Sequence, residues 1–337
     1  MISITVDAMG GDHAPAEIVA GAVRFLRDGG VDAVGVRLLL VGDAGAVRSE
    51  LAGLGASEGD QLVVVDAPAV IAMDEHPLES VRRKPDASLC VCARLVGEGA
   101  AAATVSAGNT GACMVAAIQL IGRIRGVSRP AIGTAVPVVG GRTCLVVDAG
   151  ANVDCRPSHL VQFALLGSVY SRTVLGIAEP RVGILSNGEE AAKGNELVKE
   201  TRPLLEQAPL RFTGSIEANH VMEGEADVVT CDGFAGNVFL KAIEGMARLA
   251  LEVVGGAAKA DPGNVGVADA AKALFKRVDY SEYGGAPLLG IRGVSIIAHG
   301  RSKAPAMRNA IKIAAQAAKA DYVGAVEAAF ASAKVAQ

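Results

Sequence analysis

Lys193 and Asn237 are the side chains of this sequence best placed to act on an anion or a polarised oxygen. Lys193 lies in ILSNGEEAAKGN, Ile184–Asn195, just past an apolar run, where an ammonium can meet an anion. The plainer alternative is a solvated lysine at a helix start. Asn237 follows a glycine at the expected start of a helix over Val238–Glu252. Its carboxamide there is either a helix cap or a donor to a developing oxyanion. Asp7, Asp12, Asp148 and Asp232 can orient such groups or bind a metal. No histidine-rich partner set accompanies them, so neither a metal nor a cofactor is expected.

Each of these residues belongs to a small polar cluster that closes an apolar run. The first three are Val6–His13, with Asp7, Gly10, Gly11 and Asp12; Val105–Ala112, with Ser106, Asn109, Thr110 and Gly111; and Val146–Asn152, with Asp148 and Asn152. The others are the Lys193 segment, with Asn187; Val229–Asn237, with Asp232 and Gly236; and Ile296–Ser302, with His299 and Ser302. In parallel α/β sheets ligands bind beyond the carboxyl ends of the strands. Glycines there let backbone N–H groups approach, and the following helix N-terminus favours an anion. The six clusters are therefore expected to converge on one site.

Common catalytic signatures are missing. There is no Gly-x-Gly-x-x-Gly after the first strand, no Walker loop, no His-Glu-x-x-His and no Gly-x-Ser-x-Gly elbow. Ser106, His299 and Asp148 form a triad only on paper, as three such residues do in any long chain. The six cysteines follow no metal or redox spacing and read as reduced, mostly buried thiols. Cys231 sits beside Asp232, which opposes thiolate formation and argues against a nucleophile.

Positioning these groups takes a scaffold, and 337 residues, 51% of them apolar, suffice for one large α/β unit of one or two lobes. Aromatic content of 3% without tryptophan gives no stacking platform for bases, and a net charge of −4 gives no nucleic-acid footprint. The start, MISITVDAMGGD, has no basic, apolar leader, so a cytoplasmic protein is expected. Residues 99–122 are uncharged and long enough to span a bilayer, but SAGNTG in their middle would leave polar groups in hydrocarbon. A buried strand, loop and helix is expected instead.

Strands are predicted at Ile2–Val6, Val36–Val41, Leu62–Val65, Ala103–Ser106, Thr143–Val147, Val182–Leu185, Val228–Thr230 and Val294–Ala298. Helical patterns separate them, such as Ala16–Leu26, where Ile18, Val19, Ala22, Val23 and Leu26 share a face; Pro15 opens it and Gly29-Gly30 ends it. Strand and helix in alternation imply a mainly parallel sheet covered on both faces, a three-layer α/β/α unit spanning residues 1–337.

At this depth the sequence resembles the phosphate acyltransferase family of bacterial phospholipid synthesis. The resemblance runs through DAMGGD at Asp7–Asp12, VSAGNTGA, Arg129-Pro130-Ala131, DAGAN at Asp148–Asn152 and NGEEAAKGNEL. It continues in ADVVTCDGFAGNVFLKAIEG at Ala226–Gly245, EYGGAPLLG at Glu282–Gly290, and HGRS with Asn309-Ala310-Ile311. It implies a fold similar to phosphotransacetylases and isocitrate- or isopropylmalate-type dehydrogenases, a homodimer, and a helical excursion near 246–280. The implied reaction is attack of phosphate on a long-chain acyl-acyl-carrier protein. On that reading Lys193 holds phosphate and Asn237 steadies the oxyanion. The resemblance also implies peripheral contact with the inner face of the cell membrane.

Two departures from the family pattern stand out. Asp86-Ala87-Ser88 replaces an expected pair of serines after a basic segment. The excursion tip, Gly255–Ala271, carries only Val265 and Val267 as sizeable apolar residues, with Asp261 and Asp269 against Lys259 and Lys272. Membrane association is therefore expected to be weak. An acidic carrier needs a basic patch, for which Arg82, Arg83 and Lys84, or Lys272, Lys276 and Arg277, are the candidates. Acyl-coenzyme A as donor, or a non-catalytic scaffold that recruits lipid enzymes, are the rival readings.

Overall fold

Alternation along the strands decides the layers. The structure, a computed structural model, describes residues 1–260, 265–278 (side chains to residue 275) and 284–332. Among these, eleven strands form one sheet. They are β1 (Ile2–Asp7), β2 (Val36–Gly42), β3 (Leu62–Asp66), β4 (Ala103–Ser106), β5 (Ala131–Pro137), β6 (Thr143–Val147), β7 (Arg181–Leu185), β8 (Arg211–Ile216), β9 (Val228–Thr230), β10 (Ala286–Leu289) and β11 (Val294–Ile297). In β6, Leu145 and Val147 enter one apolar cluster while Cys144 and Val146 enter the other, because successive side chains leave opposite faces.

The first face is covered by α1 (Ala16–Asp28), α2 (Ala44–Gly53), and further along the chain by Pro157–Thr173, Glu196–Glu206, Ala304–Lys319 and Tyr322–Ser332. The second carries α3 (Pro77–Arg83), α4 (Ser88–Gly97) and α5 (Thr110–Ala116). In chain order the later helices are α6 (Pro157–Thr173), α7 (Glu196–Glu206), α8 (Ala218–Glu223), α9 (Gly233–Ala260), α10 (Val265–Val278), α11 (Ala304–Lys319) and α12 (Tyr322–Ser332). Val221 of α8 and Leu240 of α9 complete the second face. The three-layer α/β/α expectation holds.

The sheet order is β3-β2-β1-β4-β11-β10-β5-β6-β9-β7-β8. All eight predicted strands form, and β5, β8 and β10 are additional. β10 is antiparallel to β11 and to β5, and β5 is antiparallel to β6; the other pairs are parallel. Two parallel blocks therefore run in opposite directions. The carboxyl ends of β1, β4 and β11 leave one edge of the sheet, and those of β6, β7 and β9 leave the other. The six polar clusters do not all end on one edge, which corrects the expectation of a single convergence. Eight strands alone suggested one direction; the missed pair β5 and β10 supplies the reversal.

The excursion is α9 with α10 packed on it. Of its 28 residues α9 buries only Gly233, Gly236 and Leu240. Phe234, Val238, Met246, Leu249 and Val253 are exposed along it, at spacings that keep them on one face. Val265 and Phe275 of α10 are also exposed. Asp261 and the side chains of Lys276 and Arg277 lie outside the described residues. No helix among the described residues is long and apolar enough to cross a membrane.

Close helix-to-sheet packing is tested at Gly167, on the inner side of α6. A methyl group there would lie 2.7 Å from Val228 Cγ1 and 3.1 Å from Val147 Cγ2. Gly167→Ala is predicted to lower stability by about 1–3 kcal/mol through overpacking. An unchanged melting temperature would show that the layer has slack.

Candidate functional site

At the first edge a buried carboxylate ties three elements together. Asp7 ends β1 and is 1% exposed. Its two oxygens accept hydrogen bonds from Ser88 Oγ of α4 and Ser106 Oγ of β4, each at 2.6 Å. Burial pushes its carboxyl above the usual carboxylate range against the pull of these donors. Ser106 Oγ also accepts from Gly108 N at 3.0 Å. Any side chain at Gly10 would run into Asp7, which is why a glycine stands there. Ser88 is the serine that remains of the expected pair, and Ala87 before it is fully buried.

The turns around this knot carry the other candidates of the edge. Gly11 has φ +102°, a left-handed conformation that glycine adopts freely. Asp12 donates its N–H to Gly300 O at 2.8 Å and leaves its side chain exposed. Asn109 caps α5 by accepting from Ala112 N, and its amide donates to Met73 O and Glu75 O at 3.0 Å. It is a clamp for the 72–75 loop. Thr110 is exposed beside it and Gly111 packs against Pro77. His299 is exposed and accepts from Arg301 N at 3.1 Å, while Ser302 is buried.

At the second edge Asp148, fully buried, accepts five hydrogen bonds. Oδ1 takes Ile132 N at 2.9 Å, Gly150 N at 3.3 Å and Ala151 N at 3.1 Å. Oδ2 takes Asn152 N at 2.6 Å and Asn152 Nδ2 at 2.9 Å. Burial still drives its carboxyl upward. Asn152 Nδ2 also reaches Pro130 O at 2.8 Å. The 148–152 loop is thus fixed from within, and α9 starts on top of it: Gly233 N donates to Asn152 O at 2.7 Å. Gly236 lies so close to Asp148 O that any side chain would collide with it.

Asp232 is the N-cap of α9, its Oδ1 accepting from Ala235 N at 2.8 Å. The helix starts at Gly233 rather than Val238, so Asn237 lies inside its opening turns and is no cap. Its side chain is exposed beside Gly150, where an added Cβ would lie 3.6 Å from Asn237 Cβ. No hydrogen bond of its carboxamide occurs among the described residues. Of the two readings of Asn237, the cap falls away.

Lys193 and Asn187 lie on the same edge, in the turn after β7. Asn187 Oδ1 accepts from Gly194 N at 2.9 Å and closes the neck of the turn. Lys193 N donates to Glu190 O at 2.9 Å, and the Lys193 stem packs on Gly188. The side chain is exposed, two residues before Asn195, whose Oδ1 caps α7 through Val198 N. The sequence reading passed over two cations. Exposed Arg129, before β5 on the Asp148 edge, donates to Asp154 O at 3.1 Å, and exposed Arg301 stands in the His299 turn.

The paper triad dissolves, since Ser106 bonds Asp7 while Asp148 stands at the opposite edge. Among the described residues no cysteine is an activated nucleophile. Cys231 is 3% exposed, and burial, then Asp232 and Asp148, hold its thiol well above the ordinary range. Cys113 is pushed up to about 12 and Cys90 to about 11, in both cases chiefly by burial.

The second edge therefore offers an ammonium, a carboxamide and a helix N-terminus around a rigid loop, equipment for anions and oxyanions. Comparisons point the same way. A model of the family described as "Fatty acid synthesis protein" matches residues 2–324. "Phosphate acyltransferase" of Heliobacterium modesticaldum is 46% identical over 328 residues, 96% of each chain. That of Pelotomaculum thermopropionicum is 48% identical over 318 residues, covering 93% of this chain and 90% of its own. Among solved structures, a phosphotransacetylase from Streptococcus pyogenes has a TM-score of 0.65 at 17% identity, covering 94% of both chains. A branched-chain phosphotransacylase from Enterococcus faecalis V583 has 0.56 at 13%, covering 94% of this chain and 99% of its own. These two share the fold. Near-full-length identity to the curated relatives goes further: this chain belongs to the fatty acid synthesis protein family and is an acyltransferase of the phosphate acyltransferase group.

Proposed function

We propose that the protein moves a long-chain fatty acyl group from acyl-carrier protein to inorganic phosphate, as a single catalytic unit in the cytoplasm. The products are free carrier and an acyl phosphate for phosphatidic acid and phospholipid synthesis. Family membership supports the coarser reaction, acyl transfer to phosphate. The observation that carries the residue assignment is the Asn237 carboxamide, exposed and without a hydrogen-bond partner among the described residues, on the opening turns of a 28-residue helix. Positive partial charge collects at that helix end.

A phosphate oxygen attacks the thioester carbonyl, and electron density moves onto the carbonyl oxygen. Asn237 Nδ2 and neighbouring backbone N–H groups stabilise that oxyanion. Lys193 holds the phosphate and offsets the developing charge. Collapse of the intermediate breaks the carbon–sulfur bond, and the carrier leaves as a thiolate that takes a proton from solvent. Phosphate is already a nucleophile, so the buried thiols are not needed.

The acidic carrier requires cations. Lys84 is committed to Glu75 at 2.6 Å and Val70 O at 2.9 Å, and Lys272 lies 3.5 Å from Asp269. Arg82, exposed, and Arg83, only loosely paired with Glu79 at 3.5 Å, remain as the docking candidates. A homodimer and weak, salt-sensitive membrane association belong to the same reading, with the exposed stripe of α9 as the surface open to either. Sedimentation tests the first and liposome flotation the second.

Trapping acyl phosphate with hydroxylamine tests the reaction. Hydroxamate should form from acyl-carrier protein plus phosphate. Lys193→Ala and Asn237→Ala should each lose about 100- to 1,000-fold in turnover with unchanged melting temperatures. Full activity of either variant would remove that residue's role, and equal use of acyl-coenzyme A would favour the phosphotransacetylase reading. No product at all would favour a scaffold. For docking, Arg82→Glu with Arg83→Glu should raise KM for the carrier at low salt while leaving KM for phosphate alone. Unchanged carrier kinetics would overturn that surface.

A further inference from the structure

The Lys193 turn, residues 186–195, is held to the rest of the protein by a contact that the reaction itself does not call for. Glu189, four residues before Lys193, reaches α8 and places Oε1 2.5 Å from His220 Nδ1. On the other side Arg202 Nη1 of α7 donates to Glu189 O at 3.3 Å, while Arg202 Nε bonds Glu206. Inside the turn Asn187 closes the neck through Gly194 N, and Lys193 packs on Gly188. The turn is closed internally by Asn187 and by Lys193 N on Glu190 O, and the Glu189–His220 contact is the side-chain bond that ties it to α8.

We propose that His220 is a positioning residue for Lys193: through Glu189 it clamps the turn after β7 against α8, and so sets where the ammonium meets a substrate phosphate. The proposal rests on the reading of Lys193 as the phosphate-holding cation. The groups facing His220 are Glu189 from the turn, and Glu223 and Glu225 from the end of α8 and just beyond, with Arg202 of α7 behind Glu189. The hydrogen bond to Glu189 raises the imidazole's affinity for its proton, and the other carboxylates add to it. The sign follows. The charged clamp is in place while His220 is protonated against the Glu189 carboxylate, and it weakens as pH rises through the raised pKa of His220, leaving at most a neutral hydrogen bond.

The test compares wild type, His220→Ala and Glu189→Gln in the hydroxylamine assay across pH, with inorganic phosphate as the varied substrate. At the acid end of the range His220→Ala should lose about 10- to 100-fold in kcat/KM for phosphate, the size expected for a misplaced group. The ratio of wild type to variant should fall toward one as pH rises, and phosphate's own ionisation cancels in that ratio. Glu189→Gln should reproduce the effect, and in a Lys193→Ala background His220→Ala should add nothing. A ratio of one throughout, or a constant ratio at every pH, would overturn the clamp. Retained activity in Lys193→Ala would instead sink the parent reading. An inactive Lys193→Ala beside a His220→Ala equal to wild type would sink the clamp alone.

Discussion

Strand direction reverses three times in the middle of this sheet, at β11–β10, β10–β5 and β5–β6, and the rest of the molecule is arranged around the net reversal. β10 is antiparallel to both neighbours and β5 is antiparallel to β6, so the parallel block that begins with β1 and the one that begins with β6 open onto opposite edges. Each edge then needs its own means of ordering loops rich in glycine, where backbone entropy opposes a fixed shape. Both use a buried carboxylate. Asp7 accepts two hydroxyl donors from separate elements, and Asp148 accepts five N–H bonds from the strand beside it and its own loop. Burial alone would make either charge unfavourable, and the donors are what offset it.

This division explains why the polar residues of the sequence do different jobs. Asp7, Asn109, Asp148, Asn152 and Asp232 spend their hydrogen-bonding capacity on the fold. Lys193 and Asn237 do not, and both project from the second edge, Asn237 beside the Asp148 loop and Lys193 after β7, two strands from β6. A site that holds phosphate and an oxyanion needs this combination: rigid loops underneath, uncommitted donors above. The state of the thiols fits direct attack by phosphate: Cys231 is held well above its ordinary range by burial and its acidic neighbours, and half-buried Cys155 is pushed up to about 11, chiefly by burial.

Much of this was legible in the sequence. Short β-rich apolar runs located eight strands, and each candidate cluster lies where a strand ends. The missed strands have physical reasons. β10 is short, contains Pro287 and follows two glycines; β5 carries Gly133 and ends in Pro137; β8 alternates weakly between exposed and half-buried residues at the rim of the sheet. Without β5 and β10 the reversal was invisible, and with it the division into two edges. Asn237 was misjudged by position, because Gly233 and Gly236 look like a loop until their close packing on Asn152 and Asp148 is seen. The His220–Glu189 contact joins residues 31 apart in sequence, a pairing that no periodicity encodes.

Direct attack by phosphate is the claim on which the chemistry stands, and a pre-steady-state measurement addresses it. Protein is mixed with acyl-carrier thioester in the absence of phosphate, and free carrier thiol is followed alongside the mass of the protein. The account predicts no burst of thiol and no acylated chain, with release beginning only when phosphate is added. A burst stoichiometric with enzyme, together with an acyl adduct on any cysteine or serine that phosphate then discharges, would contradict it.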